Sequence, residues 1–180
     1  MQYRNALLSA LAMLATTSHA LPAESGTSAT WKAQTQSFHY TGFTSFYTCD
    51  GLESKVEQIL LHLGARKDLK VRATGCANGF NEPSPYAWVE ASFHTLAPTD
   101  VTAAPAASDA VATHWKSFEL SARHPQFMDA GECELIEQMR DLIEKGFATR
   151  DLKYRSTCTP HSIGLNDYAV SGQVLLADEH

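Results

Sequence analysis

The chain repeats itself, and that repetition limits the folds open to it more than any other feature. A segment from Trp31 to Leu96 is echoed by one from Trp115 to Leu176. Trp31-Lys32 leads to Cys49, and Trp115-Lys116 leads to Cys133 at the identical spacing. A helical stretch leads in each case to a matched run, Asp68-Leu69-Lys70-Val71-Arg72-Ala73-Thr74-Gly75-Cys76 and Asp151-Leu152-Lys153-Tyr154-Arg155-Ser156-Thr157-Cys158, the second shorter by one Gly. At matching distances past the second Cys stand the Tyr-Ala pairs Tyr86-Ala87 and Tyr168-Ala169. Matches in this order and at this spacing predict a tandem duplication.

The N-terminal segment, residues 1–20, reads as an address. Met1 to Arg4 is a short positive start, Ala6 to Ala15 an apolar run, and Ser18-His19-Ala20 a small-residue end, so a signal peptide (1–20) cut after Ala20 is expected. The apolar run is too short to span a bilayer. No Cys near the cut offers a lipid attachment point. A soluble product, periplasmic or secreted, follows as the expectation, with periplasm preferred. Cleavage leaves residues 21–180 and removes Arg4, which moves the formal charge from −6 to −7. An acidic chain without a basic block argues against nucleic acid or anionic lipid as the main partner.

Each repeat, of about sixty-five residues, is marginal alone and needs packing or a staple. Four cysteines, two per repeat, supply it. They allow three pairings. If each strand–helix–strand crossover makes its strands parallel neighbours, their C-terminal ends meet at one sheet edge, which selects Cys49–Cys76 and Cys133–Cys158. Cys-x-x-Cys is absent, so a redox couple and a four-Cys zinc site both lack their spacing.

Asp50-Gly51-Leu52-Glu53 has the capping-box pattern, and Leu52, Val56, Ile59, Leu60 and Leu63 then share a helical face ending at Gly64. Asp129 to Glu132 repeats the pattern, followed by Leu135, Met139, Leu142 and Ile143, ending at Gly146. Alternation over Leu69–Thr74 and Leu152–Thr157 predicts half-buried strands. Tyr86 to Leu96 and Tyr168 to Leu176 read as the next strands, and Phe38–Tyr47 and Trp115–Leu120 as the first ones. The predicted fold is α+β: two β-α-β-β units (31–96 and 114–177), each with one helix on an antiparallel or mixed sheet and one internal disulfide. A flexible leader (21–30) and an Ala/Pro-rich linker (97–113) complete the chain.

Two features are candidate sites. The shared row Lys70-Arg72-Thr74 and Lys153-Arg155-Thr157 points away from the helices, and two-fold packing would merge it into a cationic stripe for an anionic group or acidic partner. The competing view is a solvated face balanced by acids such as Glu90. The second candidate is a pair of loops of equal length, 77–85 and 159–167, each pinned at its base by a disulfide, with Phe80 and His161 as the contact residues. They read equally as two inherited hairpin connections.

Catalytic patterns are missing. No His pairs with another at i,i+4 or recurs in both copies, and Gly-x-Ser-x-Gly, His-Glu-x-x-His and phosphate-cradling loops are absent. Neither a metal nor a cofactor is expected. The leading expectation is a non-enzymatic binding or adaptor protein of a bacterial-type envelope, with a protein or an anionic envelope component as partner. An inhibitor or immunity-type protein acting through its pinned loops is the alternative. A hydrolase with a carboxylate pair stands third.

Overall fold

The structure, a computed structural model, describes residues 27–78, 82–99 and 110–178. The expected signal peptide, residues 21–26 of the leader, residues 100–109 of the linker and Phe80 lie outside the described residues. In chain order the elements are β1 (Thr27–Thr41), α1 (Cys49–His62), β2 (Lys70–Thr74), β3 (Tyr86–Pro98), β4 (Val111–Ser121), α2 (Cys133–Gly146), β5 (Thr149–Thr157) and β6 (Asp167–Ala177). Short 3₁₀ turns at Ala130–Glu132 and Ile163–Leu165 precede α2 and β6.

The strands form one antiparallel sheet in the order β2-β3-β1-β4-β6-β5. Both halves therefore contribute strand, helix, strand, strand, and meet at their first strands. The seam is short: β1 and β4 pair only over Thr27–Ala29 and Val111–Thr113. Beyond it α2 lies along the edge of β1. Gln34 Nε2 donates to Gly146 O at 3.0 Å, and the Gln138 amide meets both backbone groups of Thr41.

Alternation along β2 and β3 separates two faces. Val71, Ala73, Ala87, Val89, Ala91 and Phe93 are buried, while Lys70, Arg72, Thr74, Tyr86, Trp88 and Glu90 are exposed on the other face. The helical stripes are buried as their spacing predicted, with Leu52, Val56, Ile59, Leu60 and Leu63 from α1 and Leu135, Met139, Leu142 and Ile143 from α2. They join Tyr40, Phe93, Phe118, Leu120, Tyr168 and Val170 in one continuous core. The two halves thus share an interior, and neither has to be stable alone.

Polar groups lock the halves further. Lys55 on α1 pairs with the buried Glu132 of the second half at 2.9 Å and donates to Phe127 O at 2.6 Å. Tyr47 adds a hydroxyl donor to Glu132. Burial, reinforced by Glu132, holds the Tyr47 phenol well above its ordinary pKa, so it remains a neutral donor.

Several sequence expectations need correction. The first strand is Thr27–Thr41, not Phe38–Tyr47: the chain leaves the sheet at Gly42, a turn that admits only glycine because a Cβ there would sit 2.0 Å from Tyr40 Oη and 2.4 Å from Ser45 O. Strand structure also takes in Thr27–Thr30 of the expected leader, and Ala97–Pro98 and Val111–Thr113 of the expected linker. Helix α1 is capped by Thr48, whose hydroxyl accepts from Gly51 N, and Glu53 instead accepts from Ala73 N on β2 at 2.8 Å. The second capping box, Asp129 with Glu132, forms as predicted.

Both disulfides are Cys49–Cys76 and Cys133–Cys158. The geometry behind that expectation differs, because β3 lies between β1 and β2 and the parallel strands are not neighbours. Each bridge instead joins the first residue of a helix to the chain just past the edge strand. The extra Gly75 of the first half sits there with φ +80, a left-handed backbone that glycine tolerates. Two bridges of this kind belong to an oxidising compartment.

The paired Tyr-Ala motifs are not structurally equivalent. Trp31 pairs with Leu96, and Trp115 pairs with Leu175. Counted back from these partners, Tyr86 stands at an even offset and Tyr168 at an odd one. An odd slip turns a side chain to the opposite face. Tyr86 is 58% exposed and Tyr168 is fully buried, its hydroxyl donating to Asp129 O.

Candidate functional site

The disulfides fix the starts of both candidate loops. In loop 77–85 the described residues close a small turn, with Asn78 N donating to Glu82 O and Ser84 N to Cys76 O. Loop 159–167 is held by Thr159 N donating to Asn166 Oδ1 at 2.6 Å and by its 3₁₀ turn. His161 takes a left-handed backbone there, with φ 61°.

A third loop, 42–48, lies between these two. Glu134 at the start of α2 reaches across the halves and accepts from Phe43 N at 2.8 Å and Thr44 N at 3.0 Å. Thr44 Oγ1 donates to the other carboxylate oxygen. A buried carboxylate with three donors orients this loop firmly. Its consequence is the placement of Phe43, whose ring stands 5.9 Å from His161 and 6.4 Å from Tyr86.

Tyr86 begins a continuous aromatic row. On the same open face, Trp88 pairs in register with His39 on β1 and Thr74 on β2, and the His39 and Trp88 rings meet edge to face at 4.5 Å. Trp88 is 41% exposed, and Phe46 on the central loop is 51% exposed. His39, Phe43, Tyr86, Trp88 and His161 thus form an aromatic rim around the disulfide-pinned end.

The cationic rows lie elsewhere. Lys70 and Arg72 are on edge strand β2, Lys153 and Arg155 on the opposite edge strand β5, with four strands between them. All four side chains are exposed. Arg72 stands opposite Glu90, and Arg155 donates to Asp167. The rows therefore do not merge into one stripe, because the halves join through β1 and β4 and leave β2 and β5 outermost. Lys70 and Arg72 do share the open face with Trp88.

Of the loop residues singled out in sequence, His161 is part of the rim. Sequence reasoning missed His39, Phe43, Tyr86 and Trp88. Aromatic density over 38–47 is visible in the sequence but reads as strand, and Tyr86 reads as part of the repeat.

Shallow clefts lie in the first half. One of about 320 Å³ lies beside the first disulfide, lined by Thr48, Cys49, Asp50, Cys76, Ala77 and Pro83. Another of about 470 Å³ on the open face includes Lys70, Ser92, His94 and Asp68. There the bidentate Arg66 guanidinium holds the Asp68 carboxyl down at about 2. Among the described residues no group of three or more His, Cys, Asp or Glu side chains converges as a metal site, and no helix is long and apolar enough to cross a membrane. No protein-family model, curated protein or solved structure matches the chain.

Proposed function

We propose that this is an exported, disulfide-stapled binding or adaptor protein that engages another protein through the aromatic rim at its pinned end. The observation that carries this reading is the gathering of Phe43, Tyr86, Trp88 and His161 from separate loops and strands, with large aromatic surface left exposed. Exposed aromatics on a rigid frame are the usual anchors of protein interfaces. Glu134 and both disulfides fix that frame before any partner arrives, which lowers the ordering cost of binding. Lys70 and Arg72 beside Trp88 favour an acidic border on the partner. Residues 1–20 would direct the chain to the periplasm or outside the cell, where the disulfides form.

The two halves, in the same reading, arose by duplication. Its support is the repeated element order, together with Arg66 over the Trp31 ring and Arg150 over the Trp115 ring. Each Arg follows its Trp at the same separation along the chain.

A Tyr86→Ala/Trp88→Ala variant tests the reading. Both side chains face solvent, so the fold should persist, and capture of a partner from the exported fraction should fall about tenfold or more, as loss of a hot spot implies. Undiminished capture by the folded variant would refute it. An inhibitor or immunity-type role uses the same rigid loops. It is distinguished by a captured partner that is an enzyme and loses activity on binding.

A further inference from the structure

The open face of the second half differs from that of the first in one respect. In the first half the row Arg72–Glu90–Ser37 crosses β2, β3 and β1, and Trp88 fills the next row. The register-equivalent row of the second half is Arg155–Ala169–Ser121, and Asp167 stands where Trp88 would be. Small side chains on the middle strand leave a depression, and two turns wall it. The 121–124 turn, closed by Ser121 N to His124 O at 2.7 Å, brings Arg123 and His124 to one side. The 3₁₀ turn brings Ile163 and Gly164 to the other. The resulting cleft holds about 660 Å³, within the range of small-ligand sites.

Its charges are balanced. Arg123, Arg155, Glu119 and Asp167 all line it, and the Arg155–Asp167 pair fixes one guanidinium within the lining. Arginine forks match carboxylates, and a carboxylate such as Glu119 accepts from an ammonium group. Ile163, 55% exposed, supplies an apolar part of the same lining. A polyanion would meet two acids here, and a purely apolar ligand would cover charged groups of both signs without pairing Arg123 or Glu119.

We propose that this cleft, separate from the aromatic rim, binds a short peptide with both termini free. The C-terminal carboxylate lies on Arg123 and Arg155, the N-terminal ammonium on Glu119, and an apolar side chain against Ile163.

The test uses glycyl-leucyl-glycine and its acetylated, amidated counterpart, titrated into the full exported protein while backbone amide resonances are followed. The free tripeptide should shift resonances of residues 121–124 and 163–167, and the blocked one should bind at least about tenfold more weakly. Gly164→Trp, at a position where an added Cβ meets no atom within 4 Å, should abolish the shifts, and its own amide spectrum reports that the fold is kept. Arg123→Ala should weaken binding about tenfold. No cleft shift with the free tripeptide up to about 10 mM, a weak-ligand limit, would overturn the proposal. So would equal binding of the blocked peptide, shifts confined to Tyr86 and Trp88, or unchanged binding by a folded Gly164→Trp variant.

Discussion

Gln138 on α2 treats Thr41 on β1 as a neighbouring strand would: its Nε2 donates to Thr41 O at 2.7 Å and its Oε1 accepts from Thr41 N at 2.6 Å. The two residues belong to different halves of the chain. Past the short β1–β4 seam, a helix side chain satisfies an edge that strand pairing leaves open.

Gln138→Ala should therefore lower stability by about 1–3 kcal/mol, the cost of stranding partly buried polar groups. Urea unfolding at constant m-value measures it. Protection of the Thr41 amide from hydrogen exchange should fall in the same variant.

The Lys55–Glu132 pair makes a larger prediction. Lys55→Met leaves the Glu132 carboxylate buried without its cation and should cost about 3–5 kcal/mol. Adding Glu132→Gln should recover part of that loss. A double change as damaging as the sum of the two singles would show that the pair is not coupled.

Alkaline pH should unfold the protein cooperatively. Burial raises the Tyr40, Tyr47 and Tyr168 phenols above their ordinary value of 10, with Glu134 or Glu132 adding to the effect. A raised folded-state pKa contributes stability that is complete below pH 10 and lost as pH climbs above it. Tyrosinate absorbance from these buried residues should grow together with loss of far-UV dichroism, not ahead of it.

The acid side depends on His62. Burial, then the neighbouring His124 and Lys116, lowers its pKa below the ordinary 6.5. A lowered histidine disfavours folding once the unfolded chain takes up protons, so stability should fall as pH drops below 6.5. His62→Gln should flatten that limb of the stability–pH curve.

Either disulfide can be removed to test its local role. The bridges span sequence separations of 27 and 25, and the chain-entropy relation gives about 3.5 kcal/mol for such loops. Cys49→Ala/Cys76→Ala should destabilise by that order, read from denaturant midpoints under non-reducing conditions.

Much of the fold was legible in the sequence because local chemistry dictates it. The buried stripes Leu52–Leu63 and Leu135–Ile143 follow from helical spacing; the bridges join the expected pairs, although β3 and β6 separate the strands whose adjacency selected them. Register was not legible. The odd slip that buries Tyr168 and exposes Tyr86 depends on strand pairing, and Tyr-Ala matched in both copies concealed it. Strand order was equally hidden. Nothing in Lys70-Arg72 or Lys153-Arg155 says that β2 and β5 lie at opposite edges, so the sequence reads as one stripe where two separate rows exist. The rim escaped detection because its members, His39, Phe43, Tyr86, Trp88 and His161, are scattered along the chain and brought together by Glu134 and the disulfides.

Site-specific photocrosslinking in the producing cell addresses the central claim most directly. A photoreactive aromatic residue replaces Trp88 in one strain and Phe46 in a second. In a control strain it replaces Glu144, exposed on α2. The account predicts a discrete protein adduct from positions 88 and 46 and none from 144. Adducts from 144 alone, or none from the rim in a folded, exported protein, would contradict it.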